Sequence, residues 1–452
     1  MAMDTHQAST PTTTTILMFP WLGYGHLSPY LELAKALSTR KNFLIYFCST
    51  PVNLDSIKPK LIPSPSIQLV ELHLPSSPDL PPHLHTTNAL PPHLTPVLYQ
   101  AFAAAAPLFE TILKTLSPHL LIYDCFQPWA PRLASSLNIP AIHFNTSSAA
   151  IISFSFHATH RPGSKFPFSD FVLHNHWKSK VDSNPSEQIR IVTESFFECL
   201  NKSRDVILIN SFKEVEGEHM DYIFLLSKKK VIPVGPLVYE PSENDEEDED
   251  YSRIKNWLDK KEALSTVLAS MGSESYASEE EKEEIVQGLV ESEANFIWVE
   301  RINKKGDEEQ QIRRRELLEK SGERAMVVEG WAPQGKIQKH GSIGGFVSHC
   351  GWNSVLESIV SGVPIIGVPV FGDQPINAGV VEEAGIGVEA KRDPDGKIQR
   401  KEIARLIKEV VIEKSREELR MKVREMSEVV KRKGDEKIEE LLTQISRFFN
   451  IS

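Results

Sequence analysis

The sequence predicts an α/β protein made of two successive parallel sheets, each with helices packed against it. Short apolar runs alternate with longer helical patterns in the first half of the 452-residue chain. An acidic run follows near the middle, and the alternation then starts again. Strands that alternate with helices form parallel βαβ units, so each half predicts one Rossmann-like domain. Ligands of such sheets bind outside the carboxyl ends of the strands.

Apolar runs in the first half are predicted strands at residues 16–19, 43–47, 120–123 and 141–144. Ser28 and Pro29 are typical of a helix start, with serine as the N-cap and proline at the first helical position. A second helical pattern, over residues 130–137, separates the last two strands.

The acidic run at 242–250 contains too few apolar residues to bury surface and order itself. We therefore expect an exposed acidic linker over 241–251. It separates an N-terminal domain at 15–240 from a C-terminal domain at 252–433. A disordered tail at 1–14 is expected before the first domain.

The second half repeats the pattern of the first. Its predicted strands are 265–270, 294–299, 326–328, 345–348 and 364–368, and its last helical patterns are 401–413, 415–433 and 435–449. Gly434 is the expected C-cap of the second of these helices. The last helix, within 434–452, is expected to pack back on the N-terminal domain.

Composition excludes several classes of protein. Hydrophobic residues make up 40% and charged residues 25% of the chain, as in globular proteins, so disorder throughout is excluded. The formal net charge of −11 argues against nucleic acid as a partner, and no apolar run reaches the ~20 residues of a membrane span. The polar N-terminus lacks the apolar stretch of a signal peptide, and the four cysteines show no paired pattern. A cytoplasmic monomer is the expectation.

A histidine and an aspartate follow two predicted strands of the first half. Gly23 and Gly25 permit a tight turn before His26, and Asp124 directly follows the strand 120–123. A buried aspartate beside a histidine fixes the tautomer of the imidazole and stabilises the imidazolium, so the pair predicts a general base. A loop histidine bonded to backbone and a turn aspartate are the structural alternatives.

A glycine turn in the second half joins the strand 345–348 to a helix expected to start at about Ser354. Amides at a helix N-terminus bind phosphate, and His349 and Asn353 add donors. The alternative interpretation is a capping box formed by Ser354 and Glu357. His349 and Cys350 have no second pair at zinc spacing, so no metal site is predicted.

Two further groups lie near predicted strand ends. Asp373 and Gln374 follow the strand 364–368 and suit hydrogen bonds to vicinal sugar hydroxyls, although a surface turn is the alternative. Trp331 offers an aromatic face for stacking a base, unless it fills the core. Asp248 and Asp250 resemble an acidic metal clamp, but the run around them favours a solvated linker.

Taken together, residues 331–374 resemble the signature box of the plant family-1 UDP-sugar glycosyltransferases. The box includes WAPQ, the central HCGWNS, Glu357 and the terminal DQ. The FPWLGYGH start and the LIYD strand extend the resemblance over almost the whole chain. It implies the GT-B fold, in which two Rossmann-like domains face each other across an interdomain cleft. Within this family the chain is most similar to branch-forming enzymes that glucosylate triterpene glycosides of the mogroside type.

The resemblance also implies a role for each matching residue. His26 corresponds to the catalytic base and Asp124 to its partner. On the donor side, uracil and ribose correspond to Trp331, Ala332, Gln334 and Glu357, and the diphosphate to Ser273, His349, Gly351, Asn353 and Ser354. The hexose corresponds to Trp352, Asp373 and Gln374, and Gly25 is a further donor-binding position. Gln127, Trp129 and Ser148 are expected to contact the acceptor, with filling of the core as the alternative for Trp129.

The function implied is inverting transfer of glucose from UDP-glucose, without a cofactor or metal, to a small-molecule glycoside. A β(1→6) linkage is expected, with β(1→2) as the second choice, because a primary 6-hydroxyl is the least hindered nucleophile. Transfer to a flavonoid or terpenoid aglycone is the alternative, and a non-catalytic sugar-nucleotide-binding protein is a remote one. An NAD-dependent oxidoreductase is disfavoured because the third glycine of its fingerprint is missing.

Some positions depart from the family pattern. Met271 stands where an aromatic residue is usual, Glu300 replaces an apolar residue, and Gln338 replaces leucine. The segment 301–316 is unusually charged. None of these changes removes a named ligand, so they bear on the packing of the second domain.

Overall fold

The computed structural model describes residues 13–40, 42–61, 64–88, 90–168, 187–239, 249–272, 277–300, 308–433 and 436–449. The chain divides into two compact units. One unit comprises Met1–Asn145 and Glu187–Leu208, and the other comprises Thr146–Ser186 and Ile209–Ser452. The described strands form two sheets, each surrounded by helices.

The first sheet has seven strands in the order β3-β2-β1-β4-β5-β6-β7. The strands are β1 (Thr14–Phe19), β2 (Phe43–Ser49), β3 (Ile67–Glu71), β4 (Leu120–Tyr123), β5 (Ala141–Asn145), β6 (Val206–Ile209) and β7 (Lys230–Pro233). The helices between and after them are α1 (Tyr24–Ser38), α2 (Pro51–Ile57), α3 (Thr95–Ala104), α4 (Ala106–Leu116), α5 (Trp129–Ser136), α6 (Ala149–His160), α7 (Glu187–Lys202) and α8 (Lys213–Ser227). Strand β1 pairs in parallel with both β2 and β4, so the strand order reverses between β1 and β4.

The second sheet has six strands in the order β10-β9-β8-β11-β12-β13. The strands are β8 (Thr266–Ser270), β9 (Asn295–Glu300), β10 (Ala325–Glu329), β11 (Ile343–Ser348), β12 (Ile365–Gly367) and β13 (Gly387–Glu389). The helices are α9 (Glu249–Leu258), α10 (Glu279–Glu291), α11 (Glu308–Lys320), α12 (Gln334–Gln338), α13 (Trp352–Ser361), α14 (Gln374–Glu383), α15 (Arg400–Ile407), α16 (Glu417–Lys433) and α17 (Glu436–Phe449). Here the strand order reverses between β8 and β11, which pair in parallel.

Both sheets are covered on their two faces, which explains why their strands are continuous apolar runs. In β8, Leu268 belongs to one hydrophobic cluster, while Val267 and Ala269 belong to another. Successive side chains of a strand point to opposite faces, so the two clusters are the cores on either side of the second sheet. The predicted α/β class with two Rossmann-like sheets is confirmed.

The start of α1 differs from the prediction. The helix begins at Tyr24, with Gly23 as its N-cap, and Pro29 lies inside it. The amides of His26 and Leu27 already donate to the Gly23 carbonyl, at 3.0 and 2.9 Å. The assignment of Ser28 as N-cap was therefore wrong. A proline near a helix start removes few hydrogen bonds, so the helix continues upstream of it.

Several other predictions fall partly or wholly outside the described residues. These are the tail up to residue 12, residues 241–248 of the acidic linker, and the Gly434 cap. Glu249 already begins α9. Near the C-terminus, Glu440 of α17 forms an ion pair of 2.8 Å with Lys230 of β7.

Among the helices in the described part of the chain, none is by itself long and apolar enough to cross a bilayer. The segments Pro92–Ala104 and Ala106–Leu116 reach that length and composition only together, with a bend of 42° between them.

Candidate active site

The first site lies where the strand order of the seven-stranded sheet reverses. His26 is in the first turn of α1, just beyond β1, and Asp124 directly follows β4. Neighbouring parallel strands end at the same edge of a sheet, and a reversal of strand order opens a crevice there. The fold therefore brings together two residues that are 98 positions apart in the sequence.

The Asp124 carboxylate is fully buried and accepts three N–H groups. Its Oδ2 accepts from His26 Nδ1 at 2.9 Å and from the Trp21 amide at 3.0 Å, and its Oδ1 accepts from the Cys125 amide at 2.7 Å. Burial alone would raise the pKa of Asp124, but the attraction and hydrogen bond of His26 and the Trp21 amide hold it below its usual value. Asp124 is therefore ionised at neutral pH.

An ionised carboxylate can only accept, so His26 Nδ1 carries the proton of this hydrogen bond. The lone pair of the neutral imidazole is then on Nε2. The His26 side chain is 20% exposed, whereas its partner is inaccessible. This geometry fits a general base whose aspartate orients the ring and stabilises the imidazolium.

Ligand atoms of His26, Asp124 and Cys125 all lie within 4.8 Å of one another, which is also a spacing found at metal sites. However, burial and the charge of Asp124 raise the pKa of the Cys125 thiol well above its usual value. The thiolate, which is the form that binds metals, is thus disfavoured. The Asp124 carboxylate already accepts three N–H groups. These three residues therefore fit proton transfer better than metal binding.

The second site is the turn between β11 and α13. Cys350 has a φ of +62°, and Gly351 is the N-cap of a helix that starts at Trp352. The first amides of this helix have no partners within the helix and carry its positive dipole end, so they suit a diphosphate. Ser354 lies inside the first turn, and no side chain caps the helix. The alternative of a capping box was therefore wrong.

His349 is enclosed by two glycines. A Cβ atom at Gly272 would lie 2.5 Å from His349 Nε2, and one at Gly351 would lie 2.4 Å from it. Burial lowers the pKa of His349 to about 4, so the ring is neutral at physiological pH and acts through hydrogen bonds. Ser273, the other expected phosphate contact, lies outside the described residues.

Trp331 lies in the loop after β10 and is 48% exposed, so the alternative of a core tryptophan was wrong. Ala332 beside it is buried. The Gln334 side chain points to the end of β8, where its Nε2 donates to Ser270 Oγ at 3.0 Å. Its Oε1 is buried without a hydrogen-bond partner among the described residues.

The Trp352 indole does not face a ligand. It is buried, and its Nε1 donates to the Asn210 carbonyl at 2.7 Å. Both the ring and its one donor are therefore used in the core. Only the main chain of Trp352, at the start of α13, remains for the donor.

Gln374 is held by the loop that precedes it. Its Oε1 accepts from the amides of Val370 and Phe371, both at 2.9 Å. The Gln374 amide was expected to bind two sugar hydroxyls, one through its oxygen and one through its nitrogen. Because Oε1 is occupied by the two backbone amides, only Nε2 remains to donate to a hydroxyl. The neighbouring Asp373 accepts from Asn377 Nδ2 at 3.1 Å through its Oδ2.

None of the three expected acceptor contacts has the expected geometry. Gln127 is fully buried; its Nε2 donates to the Phe19 carbonyl at 2.6 Å and its Oε1 accepts from the Phe126 amide at 3.2 Å. Trp129 packs edge-on against Phe19 at 5.6 Å, as the core-filling alternative requires. Ser148 is buried as the N-cap of α6. These expectations are corrected, because the polar atoms of Gln127 and Ser148 are used within the protein.

Sequence reasoning missed Asn377, which lies one helical turn after Asp373 and contacts it. The spacing of four residues within α14 was the only signal in the sequence. Glu300, which seemed out of place, is explained by Arg314, whose Nε and second guanidinium nitrogen donate to its two carboxylate oxygens at 3.0 Å each. The same arginine reaches Glu279 at 2.8 Å.

Comparison with known proteins assigns the chain to one family. Residues 12–239 match the family described as "Glycosyltransferase, N-terminal domain", and residues 249–432 match "UDP-glucoronosyl and UDP-glucosyl transferase". The chain belongs to this UDP-glycosyltransferase family, and it is a glycosyltransferase with a UDP-sugar as its donor.

Individual relatives are similar over nearly their full length. A mogroside IIIx synthase of Siraitia grosvenorii is 64% identical over 459 residues, which cover 100% of this chain and 96% of the relative. A beta-D-glucosyl crocetin beta-1,6-glucosyltransferase of Gardenia jasminoides is 46% identical, with 95% and 98% covered. A Glycyrrhiza uralensis structure solved with glycyrrhetinic acid 3-O-monoglucuronide has a TM-score of 0.83 at 24% identity, with 97% and 96% covered. This last likeness confirms the GT-B fold.

Proposed function

We propose that the protein is an inverting glucosyltransferase that transfers glucose from UDP-glucose to a sugar hydroxyl of a terpenoid glycoside. The hydrogen bond between His26 and Asp124, at the carboxyl ends of β1 and β4, is the observation that carries the reaction type. The glycoside acceptor is supported by similarity to the mogroside and crocetin-glucoside enzymes. The product would be a branched, β-linked sugar chain.

His26 Nε2 takes the proton of the acceptor hydroxyl while the hydroxyl oxygen attacks the anomeric carbon of glucose. Attack occurs on the face opposite to UDP, so an α-linked donor gives a β-glycoside. The imidazolium that forms is stabilised by Asp124, which stays ionised throughout. General-base catalysis of this kind contributes about 10²–10⁴-fold to the rate.

Negative charge develops on the departing diphosphate. The amides at the start of α13 and the neutral His349 stabilise it in this proposal. Preorganised donors of this type are often the largest electrostatic contribution to a rate. Trp331 stacks on the uracil, and Glu357 binds the ribose. Gln374 Nε2 and Asp373 hold the hexose, and no metal ion is required.

We propose a β(1→6) linkage first and a β(1→2) linkage second. A primary 6-hydroxyl is the least hindered nucleophile on an existing glucose, and the Gardenia jasminoides relative carries β-1,6 transfer in its name.

The deciding experiment compares kcat/KM for a terpenoid monoglucoside with that for its bare aglycone, using UDP-glucose as donor and NMR to assign the linkage. We expect the monoglucoside to be the better acceptor and the new signal to be that of a β(1→6)-linked glucose. If the aglycone is better by about tenfold or more, the branching assignment fails and aglycone glucosylation replaces it. Binding of UDP-glucose without transfer to either would instead indicate a non-catalytic protein.

A further inference from the structure

Asn377, in α14, is fully buried between three elements of the second unit. Its Nδ2 donates to the Cys350 carbonyl at 3.0 Å and to Asp373 Oδ2 at 3.1 Å. Its Oδ1 accepts from Ser148 Oγ at 2.7 Å. One amide therefore bonds the diphosphate turn, the proposed hexose-binding carboxylate and the start of α6.

The bond to Cys350 acts on a strained part of the backbone. Cys350 is a non-glycine residue with a φ of +62°, a conformation that L-residues rarely adopt. Its amide donates to Ser348 Oγ at 3.1 Å, and its carbonyl accepts from Asn377. Both sides of the residue are thus fixed directly before Gly351, where the amides that face the diphosphate begin. The orientation of the Cys350 peptide sets the direction of these amides.

Ser148 determines which way the Asn377 amide faces. Ser148 Oγ accepts from the Ile151 amide at 3.3 Å as the N-cap of α6, and its one proton goes to Asn377 Oδ1. A flipped amide would place its oxygen against the Cys350 carbonyl and the Asp373 carboxylate, which are both acceptors. Only the observed orientation satisfies all three neighbours.

The start of α6 is itself firmly held. The buried Glu216 accepts from the amides of Ala149 and Ala150 at 3.0 and 2.8 Å and from Ser211 Oγ at 2.6 Å. With these bonds and the Ser148 cap, the first turn of the helix has its amides satisfied. Ser148 is therefore a fixed point from which Asn377 is oriented.

We propose that Asn377 is a positioning residue for sugar transfer, which aligns the diphosphate turn and Asp373 with each other. This inference rests on the donor site of the proposed function. Because Asn377 touches both ends of that site without facing the ligand, its loss should raise the KM for UDP-glucose and also lower kcat. Loss of a buried hydrogen bond to a charged group corresponds to roughly tenfold to hundredfold in such constants.

The main test uses Asn377→Asp, which keeps the shape of the side chain and the acceptor for Ser148. The new carboxyl group would face the Asp373 carboxylate and the Cys350 carbonyl. At pH 8 we expect kcat/KM for UDP-glucose to fall about a hundredfold. Two neighbouring carboxylates raise each other's pKa, and a protonated one can donate again. The ratio of variant to wild-type activity should therefore increase as the pH is lowered from 8 to 6.

Ser148→Ala removes the anchor of Asn377 together with the side-chain cap of α6. It should raise the KM for UDP-glucose by about three- to tenfold, because the amide loses one of its fixed partners. Ser358→Ala is the matched control. Ser358 is equally buried, lies near the other end of α13 and donates to the Val363 carbonyl. We expect it to lower Tm in the same way while leaving the donor KM and kcat within twofold of wild type.

The outcomes separate the two proposals. Wild-type protein that fails to transfer glucose from UDP-glucose refutes the proposed function itself. If the wild type transfers glucose but Asn377→Asp and Ser148→Ala match Ser358→Ala in donor KM, kcat and pH profile, the role of Asn377 is refuted. Should Asn377→Asp fail to fold, the donor KM of Ser148→Ala relative to Ser358→Ala decides the question in either direction.

Discussion

Replacing Asp124 by asparagine should disable the catalytic base while leaving the shape of the site intact. The carboxylate accepts three N–H groups, two on Oδ2 and one on Oδ1. An amide offers a single acceptor oxygen, so one orientation places its NH₂ against the Cys125 amide, 2.7 Å away in the wild type. The other orientation places the NH₂ against the Trp21 amide and His26 Nδ1.

Both orientations harm catalysis. If the NH₂ faces His26, the imidazole must accept on Nδ1, and its proton moves to Nε2, where the base is needed. If the oxygen faces His26, the tautomer is kept, but the negative charge that stabilises the imidazolium is gone. Either way one buried donor loses its partner, which costs about 1–3 kcal/mol of stability. We expect kcat to fall about 10²–10⁴-fold, with UDP binding changed by less than a few-fold.

The assay is UDP release under saturating UDP-glucose, together with calorimetric titration of UDP. His26→Ala serves as the comparison, and the double variant should be no slower than the worse single variant, because residues that act as a unit are not additive. A kcat for Asp124→Asn within threefold of wild type would refute the assignment and make Asp124 a structural residue.

Four further predictions concern the donor site, the core and the pH response. Gln374→Glu keeps the acceptor for the amides of Val370 and Phe371 but removes the donor, so kcat/KM for UDP-glucose should fall roughly tenfold or more while Tm is preserved. Gln374→His should lower both kcat/KM and Tm. Unchanged donor kinetics in either variant would contradict this prediction. Gln338→Leu should raise the free energy of unfolding by about 1–3 kcal/mol, because both polar atoms of this buried amide lack partners among the described residues; a lower Tm would argue against it. Burial raises the pKa of Glu216 to about 7. The stability gained from its protonation is complete below the pKa of about 4.3 in the unfolded chain and is lost as the pH rises through 7. In thermal unfolding between pH 5 and 8, Glu216→Gln should therefore reduce the dependence of Tm on pH. Prolonged EDTA treatment should leave the rate unchanged, and a loss restored by Mg²⁺ or Mn²⁺ would show that a metal takes part.

The sequence was a good guide wherever one local pattern determined the structure. The apolar run 120–123 is β4 residue for residue, because a strand covered on both faces must be apolar throughout. Strands β3, β6, β7 and β13 were not predicted. β3 and β7 are only partly buried and β13 has three residues, whereas the buried four-residue run of β6 was overlooked. The start of α1 was misplaced because Ser28 and Pro29 form a start signal that also fits inside the first turns of a helix.

Side-chain roles were harder to predict, because they depend on partners far away in the chain. Gln127 is buried because its amide binds the Phe19 carbonyl, 108 residues earlier, and the sequence alone suggested an exposed polar contact. Glu300 was a departure from the family pattern until Arg314 supplied its partner. The contact between His26 and Asp124 could be predicted because the ends of adjacent parallel strands must meet, which is a rule of topology and needs no side-chain detail.

The glycines that enclose His349 matter for anyone who varies this protein by mutagenesis. Since a methyl group at Gly272 or Gly351 would come within 2.5 Å of the imidazole, even alanine at these positions would push the ring aside. In a saturation mutagenesis scan, we expect substitutions at Gly272 and Gly351 to be tolerated as poorly as substitutions of His349, although neither glycine has a side chain that could contact a ligand. A combinatorial library aimed at new sugar donors should therefore keep these two glycines unchanged and vary the exposed Trp331 and the loop before Gln374.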